Sequence, residues 1–382
     1  MTNSAYLDNS ATTKPSEGVI RAMARCMTEG YYNPSSLYAP AVAAEKAMDA
    51  CREAIAQALR VRPEGVFFTS GGTEANNLAV FGSVNSTRGY SHIIAFTTDH
   101  PSVLNAADAL KAMGHRVTLI NVDRSGQPDW AQLNEALRDP PALVACAQVN
   151  NETGAVIDMA RLIQSVRQAA PGAHIHVDGV QGFLRMPFDA RQIDSYALSA
   201  HKIHGPKGIG ALYARPGSNL TPILFGGGQE KGLRSGTENT PGIAGLHAAV
   251  TELYAIFDIE RSLRARKEAL ARALLEEVPD AAIIGPEAGE GAPHILNISF
   301  PPIGGEVMLH ALESSNVYVS TGAACSSRKN RVSPVLTAMG IPDNIARCAV
   351  RFSLSPYNTL DEIFYAAEQT GAHYRVHSRY GR

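Results

Sequence analysis

Lys202 lies among residues that leave the backbone unusually adaptable. The stretch LSAHKIHGPKG, residues 198–208, places it between histidines, glycines and other small residues. A lysine amine can attack a carbonyl carbon and hold an aldehyde as a Schiff base. The second lysine of the stretch, Lys207, belongs to a Gly-Pro-Lys-Gly turn, and we assign it no chemistry. The stretch is not a P-loop, because Gly208 follows Lys207 where a P-loop has Ser or Thr.

Further polar residues follow other short apolar runs of the chain. They are Gly71, Gly72 and Thr73 after VFFTS, His100 after IIAFTT, Asn150, followed by Asn151, after LVACAQV, Asp178 and Gln181 after HIHV, and His201 after SYALSA. In parallel sheets, ligands bind at the carboxyl ends of the strands. We therefore expect these side chains to line one site together with Lys202.

The pattern of apolar residues predicts an α/β fold. From about residue 15 to about residue 250, short apolar runs alternate with helical segments such as AVAAEKAMDACREAIAQALR, which is typical of a mostly parallel central sheet covered by helices. Farther on, a charged helical segment leads into HILNISF, VYVST and AVRFSLS, which indicates a smaller α+β unit. We expect a large domain of residues 15–255 that binds the ligand, and a small domain of residues 1–14 and 256–382.

The composition is that of a globular protein without strong charge. In 382 residues, 34 Lys and Arg stand against 36 Asp and Glu, a net charge of −2 that favours neither nucleic acid nor an anionic membrane as partner. There is no apolar run of about 18 residues and no secretory signal pattern at the start. The five cysteines form no CxxC pair and no disulfide framework. We expect a cytoplasmic protein.

The candidate residues together meet the requirements of pyridoxal 5′-phosphate. Lys202 can carry its aldehyde, and a carboxylate such as Asp178 can keep its ring nitrogen protonated, so that the ring acts as an electron sink. His100 can stack on the ring. A helix that begins at Gly72-Thr73 can hold the phosphate. Each residue also has an ordinary structural interpretation, as a turn, a helix cap or a hydrogen-bonded histidine.

Metal binding is the alternative at this strand. His174, His176 and Asp178 share one strand face by the two-residue period, and zinc accepts histidine and carboxylate ligands. However, His174 lies a strand length back from the edge where the other candidates meet. We predict no metal site.

At these residues the chain resembles the cysteine desulfurases, which belong to the class V aminotransferase group and have the fold of type I pyridoxal-phosphate enzymes. The matching motifs are YLDNSATT, NPSS, GGTEANN, VNNETG, HVDGVQ, SAHKIHGPKGIGALY, GGGQEKGLRSGTENTPGI, STGAACSS and VRFSL, in order along nearly the whole chain. The chain is most similar to the subgroup that serves nitrogenase and iron–sulfur cluster assembly.

The resemblance implies a role for each matching residue. Lys202 would carry the cofactor, Asp178 would pair with the ring nitrogen, and His100 would stack on the ring and can shuttle a proton. The remaining implied roles are Gln181 on the ring hydroxyl, Gly72, Thr73, Ser199 and His201 on the phosphate, Thr237 on the phosphate of the other subunit of a homodimer with shared active sites, and Asn33, Asn150 and Arg351 on the substrate L-cysteine.

Cys325 is the expected sulfur carrier. The resemblance implies that its thiolate takes the sulfur of L-cysteine as a persulfide, leaves L-alanine, and passes the sulfur to an acceptor such as an iron–sulfur scaffold protein. Its segment STGAACSSRKNR is rich in small residues, for which we expect an exposed, mobile loop, and its cations favour a thiolate. The other four cysteines, Cys26, Cys51, Cys146 and Cys348, lie in helix or strand patterns and should be inert.

The chain departs from the family pattern at four places. It has Asp99 before His100 where Glu is common, Gly179 where Ala is common, His204 where an aromatic residue such as Tyr is usual, and Ser355-Pro356 where Gly-Arg often follows the RFSL motif. Two alternatives to a desulfurase are a selenocysteine lyase or aminotransferase of the same fold, and a non-enzymatic scaffold or metal-binding protein. The first stays open, and Cys325→Ala discriminates it, since this change should abolish sulfide release from cysteine but could leave selenocysteine cleavage. The presence of Lys202, Asp178 and Cys325 argues against the second.

Overall fold

A computed structural model of the chain describes residues 4–87, 89–321 and 332–379. The strands are β1 (Ala5–Tyr6), β2 (Val66–Thr69), β3 (His92–Phe96), β4 (Arg116–Ile120), β5 (Leu143–Ala147), β6 (His174–Asp178), β7 (Ser195–Ser199), β8 (Gly210–Ala214), β9 (Ala282–Ile284), β10 (Ile295–Ser299), β11 (Val317–Tyr318) and β12 (Ala349–Ser353). The helices are α1 (Glu17–Glu29), α2 (Ala39–Leu59), α3 (Gly72–Asn85), α4 (Pro101–Ala112), α5 (Trp130–Ala136), α6 (Met159–Ala169), α7 (Thr240–Tyr254), α8 (Ile259–Glu277), α9 (Gly305–Ser314), α10 (Pro334–Ala338), α11 (Asp343–Ala346) and α12 (Leu360–His377).

The large sheet has the strand order β2-β8-β7-β6-β5-β3-β4. From β7 to β4 every neighbouring pair is parallel, which confirms the predicted mostly parallel sheet. Strand β8 runs antiparallel to both β7 and β2 and was not among the predicted strands. Its sequence, GALYA, is short and begins with glycine, a residue that is rare in strand interiors.

Two strand-to-helix turns set up the edge where the candidate residues meet. Between β2 and α3, Gly71 has a φ of +151°, which glycine adopts without strain. Between β3 and α4, His100 is the N-cap of the helix and accepts a hydrogen bond from the backbone of Ser102. Pro101 fills the first helical turn, where its missing N–H costs nothing. The side chain of His100 is thus fixed by the start of its own helix.

The beginning and the end of the described chain pack together. Strand β1 pairs in parallel with β11, and strands β12, β10 and β9 form an antiparallel sheet. One apolar cluster lies against the large sheet, and a second contains Leu7, Leu263, Phe300 and Phe352. The predicted run VYVST forms only the two-residue strand β11. The domain boundary near residue 255 stays a prediction.

Within the described ranges, no individual helix is long and apolar enough to cross a membrane. The pair α7 and α8, which meet at a bend of 77°, meets the length and composition criteria only when the two are taken together.

Gly179, one of the four departures, is required by a buried tyrosine. Tyr196 on β7 is fully buried, and its hydroxyl donates to Gln148 Oε1 at 2.7 Å. A Cβ atom built on residue 179 would lie 1.8 Å from Cζ of Tyr196. The space that a family alanine would use is therefore occupied by the tyrosine ring.

We expect Gly179→Ala to lower the free energy of unfolding by about 1–3 kcal/mol, because the packed tyrosine ring must shift to make room. Urea unfolding of the purified variant measures this. The control is Gly172→Ala, since a Cβ there meets no atom within 4 Å. A Gly179→Ala variant as stable as the wild type would show that Tyr196 does not exclude the methyl group.

Candidate active site

A cavity of about 310 Å³ lies where β5, β6 and β7 end. Its lining consists of Ser10, Ala11, Gly72, Thr73, Asn76, His100, Ser102, Ala147, Val149, Asn151, Asp178, Val180, Gln181, Ser199, His201, Lys202 and Arg351. Nine of the residues expected from the sequence are in this set, namely Gly72, Thr73, His100, Asp178, Gln181, Ser199, His201, Lys202 and Arg351. The candidate residues that follow different strands are therefore brought to one place, as the strand-end argument requires.

Four predicted residues are not in that lining. Asn33 and Thr237 are exposed on the surface of the described chain. Asn150 is buried beside the cavity. Cys325 lies outside the described residues. A larger cavity, of about 720 Å³, lies between α1, α2 and α7, but the described residues around it include no lysine that could hold an aldehyde.

The start of α3 forms one end of the cavity. The N-cap residue of α3 is Gly71, which has no side chain to cap the helix. The first backbone N–H groups of α3 therefore point outward with the positive end of the helix dipole. A Cβ at Gly72 would lie 2.6 Å from Val180 Cγ2, so only glycine allows this close approach. Burial, followed by the charge of Lys202, lowers the pKa of nearby His201 to about 4. A neutral imidazole and helix amides suit an anion such as a phosphate.

Lys202 points its amine at the segment that follows β1. Its Nζ donates to the carbonyl oxygens of Ser10 at 2.6 Å and Ala11 at 2.8 Å. In the same wall, the buried hydroxyl of Ser10 has no hydrogen-bond partner within the part of the chain that the structure describes. The YLDNSATT motif thus positions the reactive lysine through its backbone and leaves one hydroxyl available to a ligand.

Arg185 is a buried cation behind this wall. Its guanidinium donates to Gln181 Oε1 at 2.9 Å and to the carbonyl oxygens of Asn9 and Lys202. Burial lowers its pKa to about 9. Because Gln181 Nε2 donates to the Ser10 carbonyl at 2.9 Å, both ends of this amide are held by the protein. Arg185 thereby fixes the orientation of Gln181 and of the backbone at Lys202.

Asp178 and His100 face the cavity from neighbouring turns. Asp178 accepts hydrogen bonds from Asn76 Nδ2 at 2.8 Å and from the backbone of Val180 at 3.0 Å. His100 Nδ1 lies 3.1 Å from the backbone nitrogen and 2.8 Å from the hydroxyl of Ser102. Burial is the main cause that lowers the pKa of His100. The site therefore combines a carboxylate with a neutral imidazole.

The two histidines of the metal alternative are bonded to neutral partners. His174 Nε2 and His176 Nδ1 each lie 2.8 Å from Ser195 Oγ, and His176 Nε2 lies 3.0 Å from Asn76 Oδ1. Burial lowers their pKa to about 4 and about 3. No group of three or more potential metal ligands occurs among the described residues. These contacts favour a hydrogen-bonding role.

Arg351 also lines the cavity. Its Nη2 donates to Asp8 Oδ1 and its Nη1 to the Asn151 carbonyl oxygen, both at 2.8 Å. Its buried Nε has no partner in the described part of the chain. Asn150, by contrast, uses its side chain in the turn that precedes α6: Nδ2 donates to Thr98 O, and Oδ1 accepts from the backbone.

The sequence analysis missed several residues of the lining, among them Ser10, Asn76 and Ser102. Two of these could have been found from spacing. Asn76 lies one helical turn after Gly72-Thr73 and so faces the same side of α3, and Ser102 follows His100 in the first turn of α4. Asn151 also follows LVACAQV, but the substrate role was assigned to its neighbour Asn150, and it is Asn151 that lines the cavity.

The remaining departures from the family pattern are also explained by contacts. His204 Nε2 lies 3.0 Å from Ser355 Oγ, and its Nδ1 lies 2.9 Å from the Lys14 carbonyl oxygen. Thus two departures bond to each other. Asp99 accepts hydrogen bonds from the backbone nitrogens of Phe96 and Ala147, each at 2.8 Å, so its shorter side chain supports the turn before His100.

Comparison with known proteins identifies the class of enzyme fold. The aminotransferase class-V family model matches residues 5–365, so the chain belongs to this family. A cysteine desulfurase of Nostoc sp. is 38% identical over 361 residues, which cover 94% of this chain and 90% of the relative. The NifS/IcsS protein homolog of Lactobacillus delbrueckii subsp. bulgaricus is 39% identical over 94% of both chains. The resemblance read from the motifs is thereby confirmed.

Solved structures agree. A NifS-like protein superposes with a TM-score of 0.89 at 31% identity, covering 98% of this chain and 100% of that one. SspA, solved in complex with cysteine, has a TM-score of 0.78 at 32% identity, and the match covers 93% of this chain and 100% of SspA. The expected type I fold is confirmed by this likeness.

The buried histidines predict how stability depends on pH. Burial keeps the pKa of His174, His201 and His204 at about 4 and that of His176 at about 3, whereas an unfolded histidine titrates near about 6.5. As the pH falls below about 6.5, the unfolded chain therefore binds protons that the folded chain does not, and folding loses stability.

Two buried carboxyl groups oppose this effect. Burial raises the pKa of Asp99 and Glu152 to about 7, so their contribution to stability grows as the pH falls through 7. Because four histidines act against two carboxyl groups, we expect the free energy of unfolding to fall as the pH is lowered from 6.5 to 5. Urea titration at each pH measures it. His176→Gln should flatten this dependence. An unfolding free energy that rises over this range would contradict the assignment of buried neutral histidines.

Proposed function

We propose that the protein is a pyridoxal-phosphate-dependent cysteine desulfurase, which converts L-cysteine to L-alanine and carries the sulfur as a persulfide on Cys325. The observation that carries the proposal is the meeting of Lys202, Asp178 and His100 in one cavity that also contains a helix N-terminus. Family membership and relatives named as cysteine desulfurases support the choice of reaction.

The chemistry of the lining suits this cofactor. An amine, a carboxylate, a neutral imidazole and an anion-binding helix start are present, and the volume of about 310 Å³ is that of a small-ligand site. The Ser10 hydroxyl, which has no partner among the described residues, and the close approach at Gly72 form a polar wall. Lys202 would hold the aldehyde, Asp178 the ring nitrogen, Gln181 the ring hydroxyl, and Gly72, Thr73, Ser199 and His201 the phosphate. When bound, the cofactor supplies an electron sink for charge at the substrate Cα.

Lys202 would also be the base of the reaction. When it is not bound to the cofactor, Nζ would accept the proton from the substrate Cα, and the carbonyl oxygens of Ser10 and Ala11 would accept hydrogen bonds from the resulting ammonium. The same amine can return that proton to the product. His100 would stack on the cofactor ring and could move a proton at Nε2.

Arg351 would bind the substrate carboxylate. Asp8 and the Asn151 carbonyl hold its guanidinium in place, and the buried Nε has no acceptor among the described residues, so a substrate carboxylate would supply one. Asn150 would act through the turn that its side chain stabilises. The substrate role of Asn33 stays a prediction, and the exposed Thr237 suits contact with a second subunit.

Sulfur transfer then needs a thiolate. The Cys325 sulfur would attack the sulfur of L-cysteine, so that an S–S bond forms, the Cβ–S bond breaks, and the electron pair passes to the carbon that becomes the alanine methyl group. Protonation completes L-alanine. We further propose that a cytoplasmic acceptor protein, such as an iron–sulfur scaffold, takes the sulfur, and that the enzyme is a homodimer.

Removing the sulfur carrier should separate cofactor binding from desulfuration. We expect Cys325→Ala to bind pyridoxal phosphate normally but to form L-alanine from L-cysteine about 10²-fold more slowly or worse, as after loss of a nucleophile. Lys202→Ala should lose both borohydride-dependent attachment of the pyridoxyl group and activity. Mass spectrometry for a sulfur added to Cys325 and an alanine assay measure these effects.

The matched control is Cys26→Ser, at a half-buried cysteine on α1 that lines the larger cavity and does not line the candidate one. It should behave as the wild type. A Cys325→Ala protein that still releases sulfide from L-cysteine at the wild-type rate would rule out the persulfide role. Retained cleavage of selenocysteine alone would favour a selenocysteine lyase.

Arg351 provides a test of substrate binding. Arg351→Lys keeps the charge but loses the forked donors, so we expect KM for L-cysteine to rise roughly tenfold with a smaller change in kcat. Steady-state kinetics at fixed, saturating cofactor measure both constants. An unchanged KM would show that the substrate carboxylate binds elsewhere.

A further inference from the structure

Asn76 joins two groups of the site through one side chain. It is buried on α3, and its Nδ2 donates to Asp178 Oδ2 and to Ser102 Oγ, each at 2.8 Å. An amide nitrogen has two hydrogens, so both are used. Because a carboxylate at Asp178 can only accept, the nitrogen of the amide must be the end that faces it. Asn76 therefore connects β6 to the start of α4.

The other end of the amide fixes the histidines beneath the site. Asn76 Oδ1 lies 3.0 Å from His176 Nε2, and since an amide oxygen only accepts, the histidine must carry its proton on Nε2. His176 Nδ1 is then an acceptor for the Ser195 hydroxyl at 2.8 Å. The Ser195 oxygen in turn accepts from His174 Nε2 at 2.8 Å. Each donor has one acceptor, so every hydrogen bond is donated in the same direction, from His174 through Ser195 and His176 to Asn76.

The chain of hydrogen bonds continues in the same direction from Asn76 through Ser102 to His100. Ser102 Oγ accepts from Asn76, so its own hydrogen can point to His100 Nδ1 at 2.8 Å. The backbone N–H of Ser102 donates to the same nitrogen at 3.1 Å. A ring nitrogen that accepts two hydrogen bonds cannot carry a proton. The neutral ring of His100 therefore has its hydrogen on Nε2, and protonation at Nδ1 would break both bonds.

We propose that Asn76 is a positioning residue that couples the two reactive groups, since one amide both anchors the carboxylate of Asp178 and, through Ser102, fixes the hydrogen of His100 on Nε2. The inference rests on the proposed function, in which Asp178 faces the ring nitrogen and His100 faces the ring. Its physical content is separate, because the hydrogen-bond chain exists in the protein itself. Besides Asp178, the charged group that acts on His100 is Lys202.

Three variants separate the bond from Asn76 to Asp178 from the path that runs through Ser102 to His100. Asn76→Leu has a similar size and removes both connections. Ser102→Ala removes only the path to His100, and Ser102→Thr restores a hydroxyl. Asn77→Leu is the matched control, because Asn77 lies next to Asn76 on α3 and donates to the carbonyl oxygens of Thr73 and Ser102, but has no bond to Asp178 or to the Ser102 hydroxyl.

The first readout is the position of the hydrogen on His100. In protein labelled with ¹⁵N-histidine and measured without added cofactor, the ring nitrogens of His100, identified by their loss in His100→Gln, should show Nδ1 as the acceptor. Asn76→Leu and Ser102→Ala should shift the Nδ1 signal, while Ser102→Thr and Asn77→Leu should keep it at the wild-type position.

The second readout is the affinity of the full-length enzyme for pyridoxal phosphate. Asn76→Leu should weaken it about tenfold, because the buried carboxylate loses a donor, while Ser102→Ala and Asn77→Leu should stay within about threefold of the wild type. Wild-type affinity together with an unshifted His100 spectrum in Asn76→Leu would overturn the inference. If Asn76→Leu does not fold, the loss and rescue of the Nδ1 signal in Ser102→Ala and Ser102→Thr decide it.

These outcomes are distinct from a failure of the proposed function. A wild-type protein that takes up no pyridoxal phosphate and forms no alanine would refute the desulfurase, yet the His100 spectrum would still test the hydrogen-bond chain. Conversely, an active wild type with no effect of Asn76→Leu on either readout would refute only the role of Asn76.

Discussion

The buried carboxylate of Asp178 is the constraint on which the geometry of the site depends. A carboxylate at the end of a central strand loses its hydration, and it is tolerated only where donors replace water. Here those donors are Val180 N and Asn76 Nδ2. For Asn76 to reach it, α3 must begin close to the sheet, and that is possible because glycine stands at positions 71 and 72. The helix start that results is the anion-binding end of the cavity.

The lysine end of the cavity depends on contacts between the two ends of the described chain. Ser10 and Ala11 supply the carbonyl oxygens that accept from Lys202, and the segment that contains them is held by Ser353 of β12, whose hydroxyl accepts from Ser10 N at 2.8 Å. The same strand contributes Arg351. The amine and the guanidinium thus belong to different sheets, and their separation is set by packing between the N-terminal segment and β12. A side chain that loosened this contact would affect both groups.

Much of this could be predicted because the chain places its chemistry at strand ends. The order of apolar runs was enough to gather residues such as His100, Asp178 and Lys202 from distant positions, since parallel strands share one carboxyl edge. Strand β8 escaped prediction because its residues carry a weak strand preference and its pairing is set by β2 and β7. The supporting amide of Asn76 and the place of Asn151, not Asn150, in the cavity lining depend on which way side chains point, which an unaligned sequence does not determine.

The departures from the family pattern follow a physical rule that explains why the reactive residues carry over. Gly179 is matched by Tyr196, whose ring fills the space of the absent methyl group, and His204 is matched by Ser355, with which it shares a hydrogen bond. Each change is absorbed by a contacting partner, so neither needs the cavity to deform. Tightly packed interiors tolerate substitutions when volume and hydrogen bonding are conserved locally. The geometry around Lys202 and Asp178 is therefore kept although neighbouring residues such as Gly179 and His204 differ from the family pattern.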